Sequence, residues 1–195
     1  HTEGEPERQK SAEETFDGRS LPPQAWRIKL LIDRHGARTL LDYGAGKGAQ
    51  YAISPFVLPD GTRAPDIKTY WGVETLSLYD PGYGPHSTLP AGPFDAVIST
   101  DMLEHCAEED LDWILTEMFG LASRFLFMNI ANFPAEKILP DGQNAHCTIR
   151  PAEWWVALLQ QIGRRFPEVR WYAIVQGRQF GPNQEIQATE QFLAG

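Results

Sequence analysis

The chain has 195 residues, of which 42% are hydrophobic and six are tryptophan. That suits one domain with its own apolar core and excludes a disordered chain or a small scaffold that needs staples. Its formal net charge of -9 repels phosphate backbones, which argues against a nucleic-acid partner and for a small-molecule substrate. Cys106 and Cys147 form no CxxC pair and support no disulfide framework, so a reducing, cytoplasmic setting is expected. No apolar run is long enough for a membrane helix, so no membrane partner is expected.

His1 to Glu14 are polar and without apolar period, and residues 1–15 read as a flexible tail. A single domain is expected over residues 16–195, with order beginning near Phe16. Ser20-Leu-Pro-Pro opens a helix whose inward face is Ile28, Leu31, Ile32 and His35, with Gly36 as its stop. Thr39-Leu-Leu-Asp-Tyr is a short buried strand running into Gly44, and a helix is expected from about Lys47. Ser54 to Asp66 carries three prolines and a glycine and reads as a loop insertion. Thr75–Tyr79, closed by Asp80-Pro81-Gly82, is the second strand and Phe94–Thr100 the third. Leu111, Ile114, Leu115, Met118 and Ala122 mark one helical face, and Arg124–Ala131 is the fourth strand. A helix from Pro151 to Arg165 turns Trp155, Leu158, Leu159 and Ile162 inward, and Val169–Val175 is the fifth strand. This alternation predicts an α/β fold: a doubly wound, mostly parallel sheet with helices on both faces.

The sharpest local signal is Asp42-Tyr-Gly44-Ala45-Gly46-Lys47-Gly48-Ala49, between a strand and an expected helix. Glycines allow positive φ and let the backbone approach a ligand, and such a loop lies at the carboxyl ends of an open α/β sheet, where ligands bind. A nucleoside-triphosphate loop is excluded, because Gly48 follows Lys47 where that motif needs Ser or Thr. Gly44-x-Gly46-x-x-Ala49 does fit the looser dinucleotide fingerprint. An S-adenosylmethionine loop is the third reading, and a strand-to-helix turn without ligand the fourth.

Leu40-Leu-Asp42-Tyr-Gly44-Ala-Gly46-Lys-Gly48 resembles the first motif of class I S-adenosylmethionine-dependent methyltransferases, and Phe94-Asp-Ala-Val-Ile-Ser-Thr-Asp101-Met-Leu-Glu104-His105 resembles that family's motif at the fourth strand of its fold and its exit. The resemblance spans about sixty residues, and its second motif is foreign to dinucleotide enzymes. It implies a Rossmann-like methyltransferase with S-adenosylmethionine as cofactor. Asp42, Gly44, Ala45, Gly46 and Lys47 would then line the methionine end, Thr100 and Asp101 would lie beside the cofactor, and Asp80 would accept from the ribose hydroxyls. Asp80 departs from the pattern: it follows Gly48 by thirty-two positions and precedes Phe94 by fourteen, whereas a ribose acid lies roughly twenty residues past the loop. Either a strand and helix are missing, or Asp80 sits on the third strand instead and the ribose acid is Asp66 or Glu74.

A protonated acceptor would need a base, and two regions offer one: Glu104-His105, and the polar loop Asp141-Gly-Gln-Asn-Ala-His146. That loop resembles the matching segment of a group of uncharacterised bacterial methyltransferases, and Thr148, Arg150, Glu153, Trp154 and Trp155 behind it are candidates for a substrate wall. His105 and His146 are therefore the candidate catalytic residues. The five histidines show no HxH or HxxxH spacing, which argues against a metal site. The expected activity is methyl transfer to a small or medium metabolite, a sugar-linked one among the candidates. A nicotinamide-dependent oxidoreductase and a non-catalytic cofactor-binding protein are the alternatives.

Overall fold

The computed structural model describes Gly18, residues 20–180 and residues 186–195. The expected tail, and the expected onset of order at Phe16, lie outside the described residues. Pro22–Gln24 form one 3-10 turn that leads into helix α1, Ala25–His35, which buries Ala25, Ile28, Leu31 and Ile32 and is capped by Gly36. Strand β1 is Thr39–Tyr43. The helix expected from Lys47 does not form; the chain makes only the 3-10 turn Ala49–Ala52. Gly48 at φ 69° is left-handed and stays outside the turn, and Ile53 is already extended at ψ 118°, so only four residues lie between them.

The proline-rich insertion folds into a two-residue hairpin, β2 (Phe56–Val57) against β3 (Arg63–Ala64). A five-residue helix that periodicity did not suggest follows, α2 (Ile67–Trp71), with Asp66 as its cap. Strand β4 is Thr75–Tyr79 and β5 is Phe94–Thr100. Helix α3 (Leu111–Leu121) leads directly into β6 (Ala122–Ala131), so Ala122 begins the strand instead of closing the helical face. Helix α4 is Ala152–Gly163 and β7 is Arg170–Phe180. A last strand, β8 (Ile186–Ala194), lies antiparallel on β7 and has no counterpart in the sequence reading.

The main sheet has the order β4-β1-β5-β6-β7-β8 and is parallel up to β7. Alternate strand residues face two apolar layers. Leu41, Val97, Leu126, Met128 and Val175 pack against α3 and α4. Leu40, Ala96, Ile98, Phe125, Phe127 and Ile174 pack against α1 and α2. The fold is thus a doubly wound, Rossmann-like α/β fold with helices on both faces. Between β4 and β5 the described chain makes only the 3-10 turn Gly84–His86, so the short span after Asp80 reflects an absent strand and helix. Among the described residues no helix is long and apolar enough to cross a membrane.

Candidate functional site

Strand β1 sits between β4 and β5. The connection out of β1 therefore leads to one side and the next strand returns on the other, which opens a crevice outside their carboxyl ends. The glycine loop fills the β1 side of that crevice. Gly44 and Ala45 N–H donate to Tyr79 O at 2.8 and 3.0 Å, and Gly46 N–H donates to Asp80 Oδ2 at 2.9 Å. Gly44 has φ 85°, and a Cβ there would stand 2.5 Å from Met102 Cγ. Only glycine fits, because both the conformation and the close approach of the segment leaving β5 forbid a side chain.

Asp80 is buried at the end of β4, beside β1. Besides Gly46, it accepts Gly82 N–H at 2.8 Å on Oδ1, so it braces the loop in addition to any ligand role. The other two acids lie elsewhere. Asp66 accepts Thr69 N–H as the α2 cap, and Glu74 pairs with Arg38 before β4, at the amino end of the sheet. Asp80 alone of the three stands at the carboxyl end of its strand. Lys47 is half-buried on the loop.

Asp42 lies beneath the loop, 1% exposed. Its Oδ2 accepts from Tyr51 Oη at 2.8 Å and from Gln50 Nε2 at 3.3 Å, while Oδ1 has no partner. Burial pushes its carboxyl up to about 7, with the charge of Asp80 adding to the shift and the two donors opposing it. Gln50 and Tyr51 were not singled out in sequence. They reach Asp42 only because the 3-10 turn replaces the expected helix.

Across the crevice, Thr100 is buried at the end of β5. Asp101 follows with φ 58°, rare for a residue with a Cβ, and donates its N–H to Asn129 O at 2.9 Å. Glu104 is fully buried; its Oε1 accepts Ala131 N–H at 2.8 Å, tying this turn to the end of β6, and its Oε2 has no partner. Burial first, and the charge of Asp101 next, push the Glu104 carboxyl well above the ordinary carboxylate range.

The loop between β6 and α4 folds back over this exit. Asn144 organises it, accepting Ala135 and His146 N–H, both at 2.9 Å, and donating to Ala135 O at 2.8 Å. His105 and His146 meet edge to face with ring centroids 4.6 Å apart. His105 Nδ1 bonds Ala145 O at 2.8 Å and His146 Nδ1 bonds Phe133 O at 2.6 Å. A carbonyl oxygen only accepts, so each Nδ1 is a donor, and the neutral tautomer of such a ring has its lone pair on Nε2. Desolvation, and then the neighbouring His146, hold the His105 imidazole below its ordinary value. One donor atom from each of Asp101, His105 and His146 lies within 4.8 Å of the others. Spacing had spoken against such a group, and the fold assembles it.

The expected substrate wall is only partly there. Trp155 is fully buried in the core and Thr148 is buried, donating from Oγ1 to Cys106 O at 2.8 Å. Arg150 pairs with Glu108 at 2.7 Å and stacks over Trp154. The helical period placed Trp155 inward, and that period wins over proximity in sequence to the loop. Burial pushes the Cys106 thiol up to about 11, so it stays protonated and is no nucleophile at neutral pH.

The structure thus gathers the predicted residues into two banks that meet where Met102 packs on Gly44. Asp42, Gly44, Ala45, Gly46, Lys47 and Asp80 form one; Thr100, Asp101, His105 and His146 form the other. Unpartnered buried oxygens concentrate here: Asp42 Oδ1, Gln50 Oε1, Ser99 Oγ, Glu104 Oε2 and Asn129 Oδ1 all lie at or just past the carboxyl ends of β1, β5 and β6. Trp155 Nε1, in the core, is the other unpartnered buried polar atom among the described residues. A separate cleft lined by Gln160, Arg164, Phe166 and Trp171 lies at the amino end of β7, away from both banks. Compared with known protein families and with curated proteins, the chain matches none.

Proposed function

We propose that the chain is a methyltransferase that uses S-adenosylmethionine. The observation that carries this reading is the glycine loop braced by Asp80 across a carboxylate-lined crevice that has no helix to receive a phosphate. A dinucleotide's pyrophosphate rests on a helix N-terminus after the glycine turn. Here Gly48 is followed by a four-residue 3-10 turn, and two carboxyl groups brace the loop: Asp42 beneath it and Asp80, which accepts Gly46 N–H. A loop without a helix N-terminus behind it offers a pyrophosphate little, and suits a ligand with no phosphate. This favours methyl transfer over the nicotinamide-dependent reading.

The residues present fit the cofactor. The backbone from Gly44 to Gly46 admits close approach on the methionine side, Asp80 has carboxylate lone pairs for ribose hydroxyls, and Thr100 and Asp101 face the same crevice from β5. When bound, S-adenosylmethionine supplies an electrophilic methyl group. The protein's part is to hold the acceptor in line, to keep water out and to handle any proton the acceptor carries. The Nε2 lone pairs of His105 and His146 are the basic groups at that place. Acceptors are small or medium metabolites, sugar-linked ones among them, since the net charge of -9 disfavours nucleic acid. Two free thiols suit a cytoplasmic location.

Calorimetry tests the reading. S-adenosylmethionine or its demethylated product should bind saturably at one site, and nicotinamide dinucleotides should give no heat of binding. Saturable dinucleotide binding without response to S-adenosylmethionine would overturn it. Binding without turnover on a metabolite panel would point to the non-catalytic alternative.

A further inference from the structure

We infer that Asp101, His105 and His146 form a binding site for a divalent transition-metal ion. Two imidazoles and a carboxylate are a donor set that suits zinc, iron, cobalt and manganese. Their donor atoms already lie within 4.8 Å of one another. Tetrahedral ligands at about 2.0–2.2 Å from one ion stand roughly 3.3–3.6 Å apart, so small side-chain rotations, each moving a donor atom by up to about an ångström, bring all three into range.

Three further observations separate this from a chance meeting of side chains. The first is tautomer. Both histidines give their Nδ1 proton to a backbone carbonyl, Ala145 O and Phe133 O, which leaves Nε2 on each ring as a ligand nitrogen and fixes the ring plane. Hydrogen bonds of this kind orient metal-binding imidazoles and raise their basicity. The second is rigidity. Asn144 locks the loop that carries His146 through three hydrogen bonds, and Thr148 ties the same loop to Cys106 and Glu104 through its side chain and its N–H. Asp101 is itself held at φ 58°, a strained conformation that aims a side chain and needs support from elsewhere. The third is Glu104. It is fully buried next to Asp101, and its Oε2 has no partner. The Asp101 side chain and two imidazoles whose Nδ1 atoms are already engaged converge at the end of β5, a donor set that accepts a cation and not an anion.

An ion on three protein ligands keeps open coordination positions. If the proposed methyl transfer is right, and this step rests on it, an oxygen of the acceptor fills one of them. The acceptor class is then hydroxylated or carboxylated, with an oxygen rather than an aliphatic carbon at the metal.

The test uses the full chain freed of metal with a chelator, without S-adenosylmethionine. Calorimetric titration with zinc, cobalt, manganese and magnesium chlorides should show one equivalent bound, with magnesium weakest. Bound cobalt should give visible absorption bands typical of nitrogen and oxygen ligation. His146→Gln and Asp101→Asn should each weaken binding at least tenfold while circular dichroism stays native, and His86→Ala should bind like the wild type. No stoichiometric binding to the folded wild type, or wild-type affinity in both His146→Gln and Asp101→Asn, would overturn the proposal. S-adenosylmethionine binding is measured separately on the metal-free protein. Metal uptake without cofactor binding keeps the metal site and removes the methyltransferase reading; cofactor binding without metal uptake does the reverse.

Discussion

The two ends of the parallel sheet treat their acids in opposite ways. At the amino end, Asp95 accepts Arg38 N–H at 2.7 Å, Thr39 N–H at 3.1 Å and Arg124 Nε at 2.9 Å, and Glu74 pairs with Arg38. Burial works to raise the Asp95 carboxyl, but the two backbone donors and the Arg124 guanidinium hold it below its ordinary value. At the carboxyl end, Asp42 and Glu104 are more deeply buried and less fully partnered, and both are pushed upward. The amino end is arranged for stability. The carboxyl end keeps polar groups underused inside the protein, which is costly for folding.

The largest break in that contrast should come from Gly44→Val. A branched side chain at φ 85° and 2.5 Å from Met102 Cγ combines left-handed strain with overpacking, together roughly 2–5 kcal/mol. Urea unfolding should show the loss, and S-adenosylmethionine binding should vanish with the loop geometry. A variant of wild-type stability would mean that β5 and the loop do not pack as described.

The acids themselves give a smaller effect with a diagnostic sign. Burial raises the Asp42 carboxyl to about 7 in the folded state, above the ordinary 3.8. The folded state therefore holds the proton more tightly, and this stabilisation, complete below about pH 4, is lost as pH rises through about 7; the change is on the order of a few kcal/mol. Asp95 has a lowered folded pKa. Its contribution is present above the unfolded value and is lost as pH falls toward the folded one. Asp42→Asn should therefore gain stability relative to wild type between pH 4 and 8. Asp95→Asn should lose least relative to wild type at the lowest pH and most near neutrality. Thermal melts across pH decide this, and parallel profiles for the two variants would erase the distinction between the ends.

The smallest effect should come from Glu74→Gln. Its pair with Arg38 is exposed on both sides, and exposed pairs contribute roughly 0–1 kcal/mol. The change should be near the limit of chemical denaturation and should shrink in salt. A larger loss would show that the amino-end network acts as a unit.

Much of the fold was legible in order along the chain. Thr39–Tyr43, Phe94–Thr100 and the run ending at Ala131 are apolar enough to be buried strands in any α/β protein, and Ile28, Leu31, Ile32 or Trp155, Leu159, Ile162 carry the helical period. Strand β8 was not legible, because an edge strand with much of its surface in water reads as Ile-Gln-Ala-Thr-Glu-Gln, a pattern without a continuous apolar signal. The missing helix after the loop was hidden by Gly48, whose permissiveness makes left-handed and helical backbone equally plausible until its neighbours choose.

For the candidate site, the sequence by itself determined the residue types and the order of the two banks: Asp42 in the first strand and the glycines after it, Asp80 after the next, Asp101 and His105 after the third. It determined these because backbone freedom, a carboxylate after a strand and strand exits are local properties. Tertiary structure alone decided that Asp80 supports the loop through Gly46, that Tyr51 and Gln50 turn back onto Asp42, and that His146, forty-one positions beyond His105, lands against its ring. Each of these depends on parallel strands bringing distant exits to one edge of a sheet. A long loop closes there only when the contacts at its far end offset the entropy of ordering it, and no local pattern in the chain records that balance.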